Sequence, residues 1–309
     1  MIAAVPRPFL HRALDRLAMG LEDLVRRAPQ PYRPGPDRPP EPFGPLGPLP
    51  AAPDRAGSWS APSPPPYGND RLRVHVAPAR APRRGTAVIV PPWKVRARAL
   101  LHGWVRLAQD AGLDAWLLVP PHHLDRAGAG ARGGEGFVSP DLGRLRAALE
   151  QTVLEVRLLL ALAAARGAGE RVALVGLSLG ALAAAWAAAG PERVDAAALV
   201  APPADLAAVF AETPIGRRYA ALAARAGAPL PGDAELASRL ALLAPPGRRP
   251  TSGRVLVAAG DADAIAVGGP AALARAWNVP LSRHARGHLT LLFGCRALRR
   301  DVADLLRTA

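Results

Sequence analysis

Gly176-Leu177-Ser178-Leu179-Gly180 joins an apolar run, Arg171-Val172-Ala173-Leu174-Val175, to an alanine-rich stretch from Ala181 to Ala189. The run reads as a short buried strand, and the stretch as a helix that starts at once. A G-x-S-x-G between strand and helix is a nucleophile elbow, a turn so tight that its serine is exposed at the apex. The glycines matter because a Cβ at either position would clash across the turn. The helix that follows points its free N–H groups toward the charge that would develop during attack by Ser178.

Two partners follow in the order Ser, acid, His. Arg254 to Ala259 reads as a second buried strand, and it ends in Gly260-Asp261-Ala262-Asp263-Ala264-Ile265. A carboxylate just past a strand's C-terminal end lies on the edge where open α/β sheets place their chemistry. Val279 to Arg283 is a short strand weakened by Pro280, followed by the loop His284-Ala285-Arg286-Gly287-His288. The last helix is expected to begin there, because Leu291, Cys295, Leu298, Val302 and Leu305 recur at helical spacing.

At these residues the chain resembles the α/β-hydrolase superfamily, and the resemblance covers about residues 70–309. It implies Ser178 as nucleophile, His288 as general base and acid, and a carboxylate of the loop after residues 254–259 as the group that orients the imidazole. The superfamily's G-x-x-D pattern falls on Gly260 and Asp263. Asp263 is therefore the expected acid. Asp261 is the near alternative and Asp205 a distant one, while His284 competes with His288.

The oxyanion loop departs from the common pattern of the superfamily. Thr86 to Val90 reads as the preceding strand, and the loop is Pro91-Pro92-Trp93-Lys94 where many relatives have His-Gly. Proline has no N–H, so neither Pro91 nor Pro92 can donate to an oxyanion. The first available donor is the amide of Trp93 and the second that of Lys94. The other donor is expected from Leu179, the residue after the serine. The pairing of Pro-Pro-Trp-Lys with Gly-Leu-Ser-Leu-Gly is similar to a branch that includes the eukaryotic alpha/beta-hydrolase domain-containing protein eighteen, linked to lipid deacylation. That resemblance implies a lipid substrate.

The rest of the chain fits an α/β class. Arg71 to Val76 alternates and suits an edge strand, Val95 to Ala111 reads as a helix, and Asp114 to Val119 as the next buried strand. Ser139-Pro140-Asp141 reads as a helix start with a capping serine. Leu142, Leu145, Leu149, Val153, Val156 and Leu160 then mark its buried face. Asp195 to Ala201 adds a further strand. Strands alternating with helices predict a mostly parallel sheet covered on both faces, residues 70–309, with a short cap insertion at 202–252.

Residues 1–69 differ in kind. Leu10, Leu14, Leu17, Leu21 and Leu24 form one stripe of an amphipathic helix, whose polar face carries Asp15, Glu22 and Asp23 as well as arginines. Residues 29–66 hold 15 of the chain's 35 prolines, which argues against regular structure and for an extended wrapper or linker. Packing on the catalytic domain is the expectation for the helix, and peripheral contact with a membrane the alternative. Separated from the triad by this span, residues 1–69 are expected to be dispensable for the chemistry.

Charged residues interrupt every apolar run of Met1 to Arg27, so no signal peptide is read there, and a single cysteine excludes a disulfide framework. A cytoplasmic protein is expected. The net charge of +14 points toward nucleic acid only superficially. One lysine against 38 arginines, spread along the chain, reflects coding bias, and the aromatic interleaving of RNA binders is missing. His122-His123 lies on the active-site edge, but no third ligand has metal-site spacing. The expected function is hydrolysis of a small-molecule or lipid carboxylic ester by a serine mechanism, with no cofactor and no metal. Other chemistry of the fold, such as a thioesterase, peptidase or acyltransferase, stays open, as does a non-catalytic scaffold.

Overall fold

A computed structural model describes residues 8–20, 30–67, 70–80, 82–128, 133–247 and 253–308. Its strands are β1 (Gly57–Pro62), β2 (Arg71–Ala77), β3 (Gly85–Val90), β4 (Leu113–Val119), β5 (Arg171–Leu177), β6 (Ala196–Val200), β7 (Arg254–Gly260) and β8 (Leu281–His284). The helices are α1 (Pro8–Gly20), α2 (His102–Asp110), α3 (Leu142–Ala165), α4 (Leu179–Ala188) and α5 (Leu206–Glu212). They continue with α6 (Pro214–Arg225), α7 (Asp233–Ala241), α8 (Gly269–Trp277), α9 (His288–Gly294) and α10 (Arg296–Thr308).

All eight strands form one sheet in the order β1-β2-β4-β3-β5-β6-β7-β8. The first two pairings, β1 with β2 and β2 with β4, are antiparallel, and every pairing from β4 to β8 is parallel. The central strands are buried along nearly their whole length because helices cover both faces. Their alternate residues feed two cores. Val88, Val90, Val172 and Leu174 pack with α3, α4 and α8 on one side, whereas Ala87, Ile89, Ala173 and Val175 pack with α2, α9 and α10 on the other.

Several local expectations need correction. The proline-rich span is not without regular structure: Gly57–Pro62 pairs residue for residue with β2, so β2 is an inner strand. Part of that span lies along α3. Prolines supply no N–H, but their carbonyls accept from buried arginines, Arg146 donating to Pro39 and Arg157 to Pro42 and Gly44. Helix α3 is capped by Asp141, whose Oδ1 accepts the Arg144 amide at 3.1 Å, and not by Ser139. The helix expected from Val95 begins later, with a single tight turn at Arg98–Leu101 before α2.

The C-terminal helix is two helices. Cys295 is extended (φ −90°, ψ 100°) and its buried Sγ accepts the Leu298 amide at 3.5 Å, so the thiol caps α10. Between β6 and β7 stand α5, α6 and α7, in the region expected as a cap. Leu21, Glu22, Asp23 and Leu24 lie outside the described residues. Within α1 the stripe is turned outward: Phe9, Leu10, Leu14 and Leu17 are exposed, whereas His11 and Asp15 are buried. Among the described residues no helix is long and apolar enough to cross a membrane.

Candidate active site

Ser178 stands between β5 and α4, at the C-terminal edge in the middle of the sheet. Its φ of 53° and ψ of −121° lie in a region that L-residues rarely adopt, and its amide is tied to Val200 O of the neighbouring β6 at 2.8 Å. Both glycines of the motif are spatially required. A Cβ on Gly176 would come within 2.6 Å of Ala181 Cα and Ala184 Cβ, and one on Gly180 would run into the carbonyls of Val90 and Pro91. The elbow is thus pressed against the end of β3.

The loop after β7 carries Asp263, and α9 opens with His288 just beyond β8. The three side chains meet. His288 Nε2 lies 2.8 Å from Ser178 Oγ, and His288 Nδ1 lies 2.8 Å from Asp263 Oδ2. The remaining oxygen, Asp263 Oδ1, accepts the amides of Ile265 (2.8 Å) and Ala266 (2.9 Å). These partners assign the imidazole tautomer: Nδ1 carries the proton toward the carboxylate and Nε2 is free to accept from Ser178. Burial pushes the Asp263 carboxyl up, but the His288 charge and hydrogen bond and the two loop amides outweigh it, so it is held below the usual carboxylate range. Burial also opposes charge on His288, yet Asp263 and then Asp15 favour the imidazolium, and the net direction is upward.

The competing residues are engaged elsewhere. Asp261 binds Arg283 at 2.7 Å near the surface. Asp205 caps α5 through the Ala208 amide at 3.0 Å. His284 turns to Ser282 and Asp301, with Nε2 at 3.1 Å and 3.6 Å.

Trp93 and Leu179 border one cavity of about 10 Å³, barely the room for a water, together with Pro91, His123 and Thr152. Lys94 has its amide engaged within the protein. Its backbone is left-handed (φ 63°) and its amide donates to His123 Nε2 at 3.2 Å. His123 completes the brace by donating Nδ1–H to Pro121 O at 2.9 Å. Burial drives the His123 ring down to about 4, so it is a neutral acceptor at ordinary pH. Trp93 Nε1 donates to Gly134 O at 2.6 Å, fixing the indole, and the Lys94 ammonium sits 4.0 Å from that ring's centre. The bracing role of His123 had a sequence signal in the His122-His123 pair after β4, but nothing there distinguished a loop brace from a pocket residue.

One participant had no sequence signal. Asp15 of α1 is fully buried, and its carboxylate accepts the amides of His288 at 2.7 Å and Leu289 at 3.1 Å. Helix α1 is therefore far from His288 in sequence but next to it in space. Two larger clefts lie elsewhere, one of 860 Å³ beside Arg96, Arg98 and His75, and one of 720 Å³ among α5, α6 and α7. Neither is lined by the triad, whose serine is only 7% exposed. Among the described residues no group of three His, Cys, Asp or Glu could hold a metal ion.

In sequence the chain matches no family model and none of the curated proteins. In structure it is similar to a hyperthermophilic esterase from the archaeon Pyrobaculum calidifontis, at TM-score 0.53 and 15% identity over 98% of this chain and 92% of that one. It is similar also to a thermostable carboxyl esterase from Bacillus coagulans (TM-score 0.52, 13% identity, 81% of this chain and 96% of that one). A third is Est1E from Butyrivibrio proteoclasticus, solved with ferulic acid bound (TM-score 0.51, 13% identity, 77% and 93%). The mostly parallel sheet with helices on both faces is the α/β-hydrolase fold.

Proposed function

We propose that this chain, with its α/β-hydrolase fold, is a serine hydrolase that cleaves carboxylic esters through an acyl-enzyme on Ser178. The observation that carries the reading is the continuous chain of two 2.8 Å contacts from Ser178 Oγ through His288 to Asp263. The esterases similar in structure support it at the level of the fold.

Ser178 Oγ attacks the acyl carbon as its proton passes to His288 Nε2. The carbonyl oxygen becomes an oxyanion held by the amides of Trp93 and Leu179. Asp263 keeps Nδ1–H in place and stabilises the imidazolium, which then gives its proton to the departing alkoxide. Water next gives a proton to Nε2 and attacks the acyl-serine. Collapse of that second intermediate releases the carboxylic acid and restores Ser178 Oγ–H. The steps as written use no metal and no cofactor.

The finer reading is a lipid ester, met at a membrane or micelle surface. It is supported by the Pro91-Pro92-Trp93-Lys94 loop, by the resemblance that loop carries to the branch linked to lipid deacylation, and by α1. That helix turns Phe9, Leu10, Leu14 and Leu17 outward beside exposed Arg12 and Arg16. A fluorophosphonate should label the wild type stoichiometrically and leave Ser178→Ala untouched; equal labelling of both removes the nucleophile assignment. p-Nitrophenyl esters of increasing chain length beside phospholipid vesicles test the substrate, and a preference for acetyl with no vesicle hydrolysis would remove the lipid reading.

A further inference from the structure

Helix α9 starts at His288, so its first amides have no partner within the helix. A local cap is not available, because the preceding residue is Gly287 and has no side chain. The partner comes from 273 residues upstream. Asp15 Oδ2 accepts the His288 amide at 2.7 Å and Oδ1 the Leu289 amide at 3.1 Å, and Oδ2 lies a longer 3.4 Å from the amide of Ala264, the residue after Asp263. One carboxylate thus touches both loops that carry the triad's acid and base.

The seat is built for this contact. A Cβ on Gly287 would come within 2.8 Å of Asp15 Oδ2 and 2.9 Å of His11 O, so α1 rests directly on the glycine backbone. His11 stands one turn before Asp15 on the same face, and its Nδ1 meets Thr290 Oγ1 at 2.9 Å. Thr290 Oγ1 in turn accepts the Gly287 amide at 3.0 Å. An amphipathic helix held by apolar packing would bury its leucines. Here the buried side is His11 and Asp15, and the leucines face outward.

We infer that Asp15 is a positioning residue for the triad: by capping α9 and approaching the acid loop, it sets the place and orientation of His288 against Ser178 and Asp263. The inference rests on the reading of His288 as the general base. Asp15 also brings a second negative charge to the ring. The ionisable groups facing His288 are Asp263 from the loop after β7 and Asp15 from α1, with His11 beyond on Thr290. Loss of the Asp15 charge therefore makes the imidazolium less favourable.

Asp15→Asn in the full chain keeps the shape and one acceptor oxygen and removes the charge. With p-nitrophenyl acetate, kcat should fall roughly 10- to 100-fold with KM little changed, as for a misplaced catalytic group. The acid limb of the pH–rate profile should move to lower pH, which a merely structural aspartate would not cause. Asp54→Asn, which removes an exposed carboxylate upstream of β1, should leave both unchanged. Wild-type kcat and an unmoved limb in Asp15→Asn would overturn the inference. If the wild type neither hydrolyses the ester nor labels with fluorophosphonate, the esterase reading has failed and the inference is read by NMR. The His288 ring should then titrate lower in Asp15→Asn, and an unchanged titration overturns it. If Asp15→Asn does not fold, the wild-type amides of His288 and Leu289 decide: exchange as slow as in the sheet supports the cap, and exchange as fast as in an open turn refutes it.

Discussion

Asp263 divides its carboxylate between two tasks, giving Oδ2 to His288 Nδ1 at 2.8 Å and Oδ1 to the amides of its own loop. Asparagine at 263 can keep the loop bonds through its oxygen, but it then presents an N–H to Nδ1 and favours the wrong tautomer. Asp263→Asn should lower kcat by about 10⁴-fold with little loss of stability. Asp261→Asn, losing only a surface pair with Arg283, should stay near wild type. Steady-state kinetics on both variants check this, and larger damage at 261 would reassign the acid.

The pH dependence follows from His288. Burial opposes the imidazolium, and Asp263 and Asp15 favour it more, so the folded ring titrates above the ordinary value of 6.5. The base must be neutral to accept from Ser178. Activity is therefore full above the raised value and falls as pH drops through it. A profile of kcat/KM between pH 5 and 9 should show an acid limb with its midpoint above 6.5. A midpoint well below that value would mean that the two carboxylates do not act on the ring.

Lys94 should cost stability in acid. Burial, helped by Arg218 and Arg96 and opposed by Glu135, takes its ammonium down to about 7 from an ordinary 10.5. Below about 7 both folded and unfolded chains hold the proton, so the full cost of burying the charge falls on the fold. As pH rises from there toward 10.5 the folded chain sheds the proton first and the cost disappears. Lys94→Met should accordingly be more stable than wild type at pH 6, with the gap closing by pH 10. Urea midpoints at the two pH values measure it, and a gap independent of pH would show that Lys94 keeps its charge.

Gly180→Ala tests the joint between the elbow and the oxyanion loop. Its methyl would enter space held by the carbonyls of Val90 and Pro91, backbone atoms that cannot swing aside as a side chain can. A loss of about 1–3 kcal/mol is expected from the forced shift. Activity should fall further than stability explains, because the shift moves the Trp93 amide. An alanine variant with wild-type melting and kcat would show that the two segments are not tightly joined.

The edge of the sheet that holds the candidate site was legible because its signals are local. Continuous apolar runs mark β3, β4, β5, β6 and β7, with Ser178 just past β5, Asp263 just past β7 and His288 beside Gly287. What escaped depends on contacts between distant segments. Gly57–Pro62 reads as linker from its prolines, and only β2 alongside makes it a strand. The outward stripe of α1 reads as a packing face until Asp15 and His11 find partners on α9. The interruption at Cys295 was hidden because its spacing continues the helical stripe, while the backbone there turns extended and the thiol serves as a cap. His123 was visible as a residue but not as a brace, since its task depends on the left-handed turn at Lys94.

The 273 residues between Asp15 and His288 bear on how the chain is made. At elongation rates of about 5–20 residues per second, α1 leaves the ribosome many seconds before its seat exists. During that interval Phe9, Leu10, Leu14 and Leu17 are exposed, as they are in the finished fold, so the helix loses no apolar shelter by waiting. The polar pair His11 and Asp15 stays hydrated until α9 arrives. Docking of α1 would then be a late event in maturation, and newly synthesised chains would acquire a settled His288 only after the sheet is complete.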